Sequence, residues 1–257
     1  MTSVNHPNGA AGASSEDPDP QPSRSGRQVG SASRGRAHGV LGAVREVALV
    51  LIIAMGLSLI IKTFFVQAFF IPSQSMENTL LVGDRVLVNK LSPGPLSLRR
   101  GDIVVFKDPG GWLAAPEKAD DGPVQGAVRD VLTFVGLLPS DSGEHLIKRV
   151  LGLPGDTVAL GKDGRLTVNG VPINEPYLYP GDEPSMEHFT VTVPKGRIWV
   201  MGDHRSVSQD SRFHRDLNDG TVPIKNVVGE AFVIVWPVGR WALLPNPEAV
   251  FKNVPSP

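Results

Sequence analysis

Hydrophobic and polar positions divide the chain into three parts. Large apolar side chains are nearly absent from residues 1–40, which are rich in Gly, Ser, Pro, Ala and Arg. Burial cannot offset the entropy of ordering such a segment, so residues 1–43 are predicted to form a disordered tail. An uncharged apolar stretch, Val47–Ile61, follows it, and beyond Asp84 short apolar runs alternate with turn residues. The pattern predicts a tail, one apolar helix and a β-rich domain.

The apolar stretch is long enough to cross a membrane if it is extended to residues 44–66. At ~1.5 Å per residue it then reaches the required ~30 Å, with Lys62 reaching to the interface. Pro72 should end the helix nearby. A cleaved leader is the alternative, but the run is long for one, and the following AFFIPSQSM has no clear small-x-small site.

Basic residues flank this helix on one side only. No Asp or Glu lies between Pro20 and Arg45, a segment that holds Arg24, Arg27, Arg34, Arg36 and Arg45. Positively charged flanks favour the cytoplasm. We therefore expect a single-pass protein of the cytoplasmic membrane, with a cytoplasmic N-terminus and an extracytoplasmic domain. The lipid bilayer is its first expected partner.

Period-two patterns rich in β-branched residues predict an antiparallel β domain at residues 67–251, followed by a tail at 252–257. Positive φ angles at Asp163-Gly164 and Asn169-Gly170 would close hairpins. Eight strands are predicted, at residues 84–90, 101–107, 145–151, 156–160, 165–169, 189–193, 197–202 and 227–236. The fold class is mainly β, with an insertion at 108–143 that carries a short helix at 124–138.

Composition excludes several classes of function. A net charge of −1 gives no overall basic excess for nucleic acid, so we expect no nucleic-acid partner. The absence of cysteine removes disulfides, thiolate zinc sites and a cysteine nucleophile. No spacing of His, Asp and Glu is typical of a metal site, and we expect no metal and no cofactor.

Three polar clusters could carry chemistry, and the first is IPSQSMENTL at residues 71–80. It places Ser73 and Ser75 on a loop just after the apolar helix. Two serines beside a proline are more often a plain turn than a nucleophile site. The cluster by itself therefore leaves both interpretations open.

The second cluster places Lys148 within an apolar, β-branched strand, HLIKRVL. Alternation puts Lys148 on the same face as Leu146 and Val150, with Ile147 and Arg149 opposite. An outward lysine would simply be solvated. An inward lysine would lose solvation, which lowers its pKa and makes it a usable base.

The third cluster is MGDHRSVSQDSR, residues 201–212. It is either a polar surface turn, in which Asp203, Arg205, Asp210 and Arg212 pair with one another, or a support for a catalytic lysine. In the second case a serine hydroxyl would orient the amine while an Asp-Arg pair fixes the loop.

Together and in this order, the clusters resemble those of bacterial type I signal peptidases. The similar segments are PSQSM, GDRVLVNK, KRVLGLPGD, GDHRSVSQDSR and AFVIVWP, so the resemblance covers roughly residues 45–245. It implies a Ser-Lys serine endopeptidase on a β-sheet domain of signal-peptidase type.

The resemblance also implies a role for each matching residue. Ser75 would be the nucleophile and Lys148 its general base, while Ser73 and the Ser75 amide would form the oxyanion hole. The implied supporting residues are Ser208, which orients the lysine, and Asp210, which braces the site with Arg149 or Arg212. Two positions depart from the family pattern: Asn78 stands where a proline is usual, and His204 where Asn is frequent.

The implied substrates are exported preproteins whose signal peptides end in a small-x-small sequence. Shallow apolar pockets near Phe70, Ile71 and Met76 would exclude larger side chains. The resemblance makes no prediction of the oligomeric state.

The residues leave three other functions open. A Ser-His-Asp hydrolase would use Ser75 or Ser208 with His204 or His214 as base and Asp203 or Asp210 to orient it, but GxSxG is absent. Self-cleaving repressors also use a Ser-Lys pair, yet they have no need of a membrane helix. A non-enzymatic, membrane-anchored β domain would treat the three clusters as turns.

Overall fold

The N-terminal part of the described chain is one long helix, α1, Arg34–Phe64. The computed structural model describes residues 34–113 and 145–257. Within α1, Gly42–Ile61 has a mean hydropathy of 2.3, is not buried, and is long and apolar enough to cross a membrane. The predicted helix at 124–138 and most of the 108–143 insertion lie outside the described residues, as do residues 1–33 of the predicted tail.

The helix boundaries differ from the prediction at both ends. Helix α1 begins at Arg34, within the segment predicted as a disordered tail. It ends at Phe64 rather than near Pro72, and strand β1 starts at Val66. The reason is long-range pairing: β1 pairs residue for residue with β2, from Val66↔Asn89 to Phe70↔Arg85. Apolar periodicity alone does not distinguish this strand from a continued helix.

The described β domain contains twelve strands in two antiparallel sheets, which confirms the predicted fold class. The larger sheet has the order β1-β2-β11-β3-β4-β9-β10, with β12 paired to β11, and the smaller has the order β7-β6-β5-β8. The strands are β1 Val66–Phe70, β2 Arg85–Asn89, β3 Ile103–Lys107, β4 His145–Gly152, β5 Thr157–Leu160, β6 Leu166–Val168, β7 Val171–Pro172, β8 Thr190–Thr192, β9 Arg197–Met201, β10 Val222–Pro223, β11 Val227–Trp236 and β12 Ala242–Leu243. A short helix, α2, spans Glu248–Phe251.

The larger sheet is packed on both faces, as strand β3 illustrates. Ile103 and Val105 belong to one apolar cluster, and Val104 and Phe106 belong to another. Successive side chains point to opposite faces, so a run without polar residues indicates a strand buried on both sides. Strand β4 pairs with β3 and is held between these two clusters.

A third apolar cluster joins the smaller sheet to the C-terminal segment. Val254, within the predicted tail at 252–257, is buried in this cluster together with Phe251. The Pro255 carbonyl accepts a hydrogen bond from Arg100 Nη2 at 2.9 Å. The last residues are therefore packed onto the domain rather than extending as a tail.

Candidate active site

Ser75 lies in the middle of a single 3-10 turn, Gln74–Met76, that follows Pro72. Before this turn the chain still pairs as an extension of β1, because Ile71 N–H donates to the Asp84 carbonyl at 2.9 Å. The Ser75 carbonyl accepts a hydrogen bond from His204 N–H at 3.2 Å, and Ser75 is buried. Strand pairing on one side and a backbone contact on the other thus fix the position of Ser75.

Lys148 reaches Ser75 from strand β4. It is opposite Val104 of β3 and is 4% exposed, so its side chain points inward. Its Nζ donates a hydrogen bond to Ser75 Oγ at 2.6 Å. Leu146 and Val150, predicted to share its face, lie in one apolar cluster, whereas Ile147 lies in the other.

The surroundings of Lys148 make its amine a usable base. Burial lowers the pKa of Lys148 to about 8, although the negative charges of Asp210 and Asp203 act to raise it. Removing an ammonium from water disfavours its charged form, and this effect outweighs the attraction of the two carboxylates. A substantial fraction of the amine is therefore neutral at mildly alkaline pH.

Ser73 and Ser208 flank the Ser75 hydroxyl in different ways. Ser73 Oγ lies 3.3 Å from Ser75 Oγ on a partly exposed part of the loop. Ser208 is buried, and among the described residues its Oγ makes no hydrogen bond with Lys148. The oxyanion role of Ser73 and the orienting role of Ser208 stay predictions.

Gly202 allows the third cluster to approach Ser75. A Cβ atom built on Gly202 would lie 2.3 Å from both Ser208 Oγ and the Ser75 carbonyl oxygen. Gly202 N–H donates to Asp210 Oδ2 at 3.0 Å. Only a residue without a side chain fits between Ser75 and Ser208, a requirement that the sequence pattern did not reveal.

Asp210 pairs with Arg212, which is one of the two partners, Arg149 or Arg212, that were predicted for it. Arg212 Nε and Nη2 each donate to Asp210 at 2.9 Å, and both residues are buried. Burial acts to raise the pKa of Asp210, but the hydrogen bonds and charge of Arg212 outweigh it and the pKa is lowered. Asp210 is therefore ionised and supplies a fixed negative charge near Lys148.

The alternative partner, Arg149, pairs with Asp203 instead of Asp210. Its Nε donates to Asp203 Oδ1 at 2.8 Å and its Nη2 to Oδ2 at 2.6 Å. The guanidinium also lies 4.0 Å above the ring of Tyr177. Because Arg149 projects from the opposite face of β4 to Lys148, it reaches the start of the 202–212 loop and not its end.

Asn78 explains one departure from the family pattern. Its φ is 82°, and its side-chain amide donates to the carbonyls of Tyr177 and Leu178 at 3.1 and 2.9 Å. Proline has φ fixed near −65° and could not adopt this backbone conformation. The loop after Ser75 therefore has its own geometry in this chain.

The two histidines of the alternative hydrolase are engaged elsewhere. The His204 ring stacks on Tyr179 at 3.8 Å, and the His214 ring stacks on Trp112 at 4.5 Å. Among the described residues neither imidazole makes a hydrogen bond with Ser75 or Ser208. The structure does not assemble a Ser-His-Asp triad at either serine.

An apolar groove of about 110 Å³ leads to Ser73 and Lys148. Phe70 and Ile71 are among its lining residues, and their contact with substrate stays a prediction. Met76 is fully buried in the adjacent core cluster and is not among the lining residues. The remaining lining residues are Phe69, Pro72, Val105, Leu113, His145, Leu146 and Ile147.

A buried polar network beside the loop was not predicted. Arg205 donates to both carboxylate oxygens of Glu175, and Tyr177 Oη donates to Glu175 at 2.9 Å. Arg205 Nε also donates to the Gly202 carbonyl at 2.7 Å. Glu175 lies in the unremarkable segment INEPYL, so its partner could not be predicted from local sequence.

Comparisons with known proteins identify the family of this chain. The family model "Signal peptidase, peptidase S26" matches residues 44–236. "Probable signal peptidase I" of Mycobacterium leprae is 41% identical over 227 residues, which cover 77% of this chain and 78% of the relative. "Signal peptidase I" of Pseudomonas aeruginosa is 34% identical over 223 residues, 73% of this chain and 72% of the relative. A crystal structure of a signal peptidase I from Enterococcus faecalis matches with a TM-score of 0.34 and 26% identity, covering 52% of this chain and 97% of that one.

The fold and the site define a peptidase with a candidate membrane helix and a β-sheet domain. The chain belongs to the signal peptidase family, peptidase S26.

Proposed function

We propose that this protein is a membrane-bound serine endopeptidase that removes N-terminal signal peptides from exported preproteins, cleaving after a small-x-small sequence. Ser75 is the nucleophile and Lys148 is the general base. The single observation that carries the proposal is the 2.6 Å contact between the buried Lys148 Nζ and Ser75 Oγ. A neutral amine at this distance can accept the proton that a serine hydroxyl must lose as it attacks.

The reaction follows from this pair. With the amine neutral, the Ser75 hydroxyl donates to Nζ, and Oγ attacks the scissile carbonyl as the proton moves to Lys148. The Ser75 amide and the Ser73 hydroxyl stabilise the oxyanion, and such donors are each worth about 10²- to 10³-fold in rate. The ammonium then protonates the leaving amine. A water molecule, activated by the same lysine, releases the signal peptide from Ser75.

Within the described residues, two strand segments that line the groove have a sheet neighbour on one side, which supports an extended substrate there. Residues 146–148 of β4 pair with β3, and among the described strands β9 joins β4 only from Arg149 onward. On the opposite wall of the groove, Phe69 and Phe70 of β1 pair within the described residues with β2. A peptide can add to such edges through main-chain hydrogen bonds, while the shallow apolar walls select side chains by size.

Helix α1 and its flanking charges support a location at the cytoplasmic membrane. The apolar stretch Gly42–Ile61 supports anchoring in the bilayer, and the arginines before it support a cytoplasmic N-terminus and an extracytoplasmic domain. Ser75 follows the end of α1 by eleven positions in the chain. Preproteins emerging at the outer membrane face would meet the peptidase there.

Mass spectrometry of cleavage products tests the substrate class. Matched preproteins carry Ala at the last and third-last positions of the signal peptide, or Leu at either position, and are incubated with the detergent-solubilised full-length protein. We expect one cut after the last Ala and at least about a tenfold loss of kcat/KM with Leu, since a misfit costs more than ~1.4 kcal/mol. Equal cleavage of all three preproteins, or cuts at other bonds, would contradict the proposal.

A further inference from the structure

Three side chains of different chemistry meet directly beyond Ser75. Glu77 Oε2 lies 3.3 Å from His204 Nδ1, and the His204 ring stacks on Tyr179 with ring centres 3.8 Å apart. The side chains of Glu77 and His204 are 18% and 12% exposed, and Tyr179 is 38% exposed. This cluster, Glu77–Tyr179–His204, is thus reachable from solvent, unlike the buried Ser75-Lys148 pair.

The backbone joins the cluster tightly to the nucleophile. His204 N–H donates to the Ser75 carbonyl at 3.2 Å, and Glu77 N–H donates to the Gln74 carbonyl at 2.9 Å to close the turn that contains Ser75. Tyr179 N–H donates to the Asp203 carbonyl at 3.0 Å. A side chain bound against the cluster would therefore be only a few ångströms from the reacting bond.

The groove on the other side of Ser75 fixes which part of the substrate passes here. It is lined by residues 69–73 and 145–148, and none of residues 76–79 or 202–208 lines it. Under the proposed function, this apolar groove holds the signal-peptide residues before the scissile bond. The residues after that bond have to leave Ser75 on its opposite side, where Glu77 and the turn containing His204 lie.

Two acidic side chains lie on this side. The Glu77 carboxylate faces the imidazole of His204, with Oε2 3.3 Å from Nδ1. Asp182 lies on the same side, because its Oδ2 accepts a hydrogen bond from Ser206 N–H at 3.1 Å. Partly exposed carboxylates near a bound chain favour a basic side chain and disfavour an acidic one.

We propose that Glu77, His204 and Tyr179 form a charge-selective subsite for the first residues of the mature protein, on the leaving side of the scissile bond. The inference rests on the proposed function and adds a specificity to it. Tyr179 and His204 supply a stacked pair of rings, and Glu77 supplies the charge. Preproteins with Lys at the second mature position are cleaved faster than those with Glu there.

The test compares two preproteins that are identical except for Lys or Glu at the second mature position. Their kcat/KM ratio is measured at pH 8.5 and low salt with full-length wild type, Glu77→Gln, Glu77→Lys and the control Asp163→Asn. Asp163 is an exposed carboxylate in the hairpin between β5 and β6, paired with Arg165, and its loss changes the net charge equally. Because each ratio is internal to one variant, a general loss of activity does not affect it.

We expect wild type and Asp163→Asn to prefer the Lys substrate by about two- to fivefold, the range of partly exposed charge pairs. Glu77→Gln lowers the ratio toward unity and Glu77→Lys inverts it, which a damaged fold would not do. Equal rates in wild type, or the same ratio in wild type and both Glu77 variants, would overturn the inference alone. Failure of wild type to cleave either preprotein would overturn the proposed function with it.

Discussion

Lys148 Nζ and Ser75 Oγ are 2.6 Å apart and hydrogen-bonded, although 73 positions separate the two residues in the chain. One residue comes from a 3-10 turn after β1, and the other from the middle of β4. Both are buried, so solvent does not compete for the hydroxyl. The chemistry of the site depends on whether the Lys148 amine is neutral or protonated.

The rate of cleavage should rise with pH through the pKa of Lys148. That pKa is lowered to about 8. Only the neutral amine, and not the ammonium, can accept the serine proton. We expect kcat/KM to fall about tenfold for each pH unit below this value and to level off above it. Initial rates between pH 6 and 10 check this. A profile that is flat, or that falls with rising pH, would show that Lys148 is not the base.

Lys148 should also reduce the stability of the protein below pH 8. Its pKa is about 8 in the folded state against 10.5 ordinarily, so between these values the unfolded chain binds more protons and stability rises with pH. Lys148→Met removes the buried charge. We expect this variant to be more stable than wild type at pH 7, with the difference shrinking by roughly 3 kcal/mol by pH 10.5. Chemical unfolding at both pH values measures it, and a constant difference would argue against a buried ammonium.

Gly202→Ala should lower the rate of cleavage by displacing Ser75. The added Cβ would lie 2.3 Å from both Ser208 Oγ and the Ser75 carbonyl oxygen, so the nucleophile loop must move. A displacement of about 1 Å can cost on the order of 10²-fold in kcat. Gly239→Ala is the matched control, because nothing lies within 4 Å of its Cβ position. Steady-state kinetics should separate the two, and near-normal activity in Gly202→Ala would contradict the described packing.

Asn78→Pro should destabilise the domain. The φ of 82° is closed to proline, and the two hydrogen bonds from the Asn78 amide would be lost. We expect a loss of about 2 kcal/mol or more in the free energy of unfolding. Asn78→Gly keeps the backbone conformation and should lose only about 1 kcal/mol. Equal stability of the proline variant and wild type would mean that the loop has another conformation.

Sequence patterns predicted much of the β domain because alternation and turn residues act locally. All eight predicted strands are present, and the hairpin turns have positive φ at Gly164, Asn169 and Gly170. Asp163, which was also predicted to have positive φ, does not. Strands β1, β7, β10 and β12 were not predicted. The apolar residues of β1 continue the pattern of α1. Its identity as a strand is determined by pairing with β2, a contact that lies outside its own sequence.

The three sequence clusters predicted which residues could form the site, but not all of their contacts. The alternation of side chains along β4 allowed Lys148 to point either inward or outward, and the structure shows that it is buried. Local sequence gave no means of choosing between Arg149 and Arg212 as the partner of Asp210, since the answer depends on which face of β4 meets the 202–212 loop. The packing of Gly202 and the contact between Glu77 and His204 also arise only in three dimensions.

The central claim is that Ser75 and Lys148 act as a catalytic pair, and single-site variants test it most directly. A preprotein with an Ala-x-Ala site is incubated with detergent-solubilised wild type, Ser75→Ala and Lys148→Ala, with folding checked by circular dichroism. We expect both folded variants to lose cleavage by at least about 10³-fold, because neither residue works without the other. Cleavage by folded Lys148→Ala at close to the wild-type rate would contradict the account.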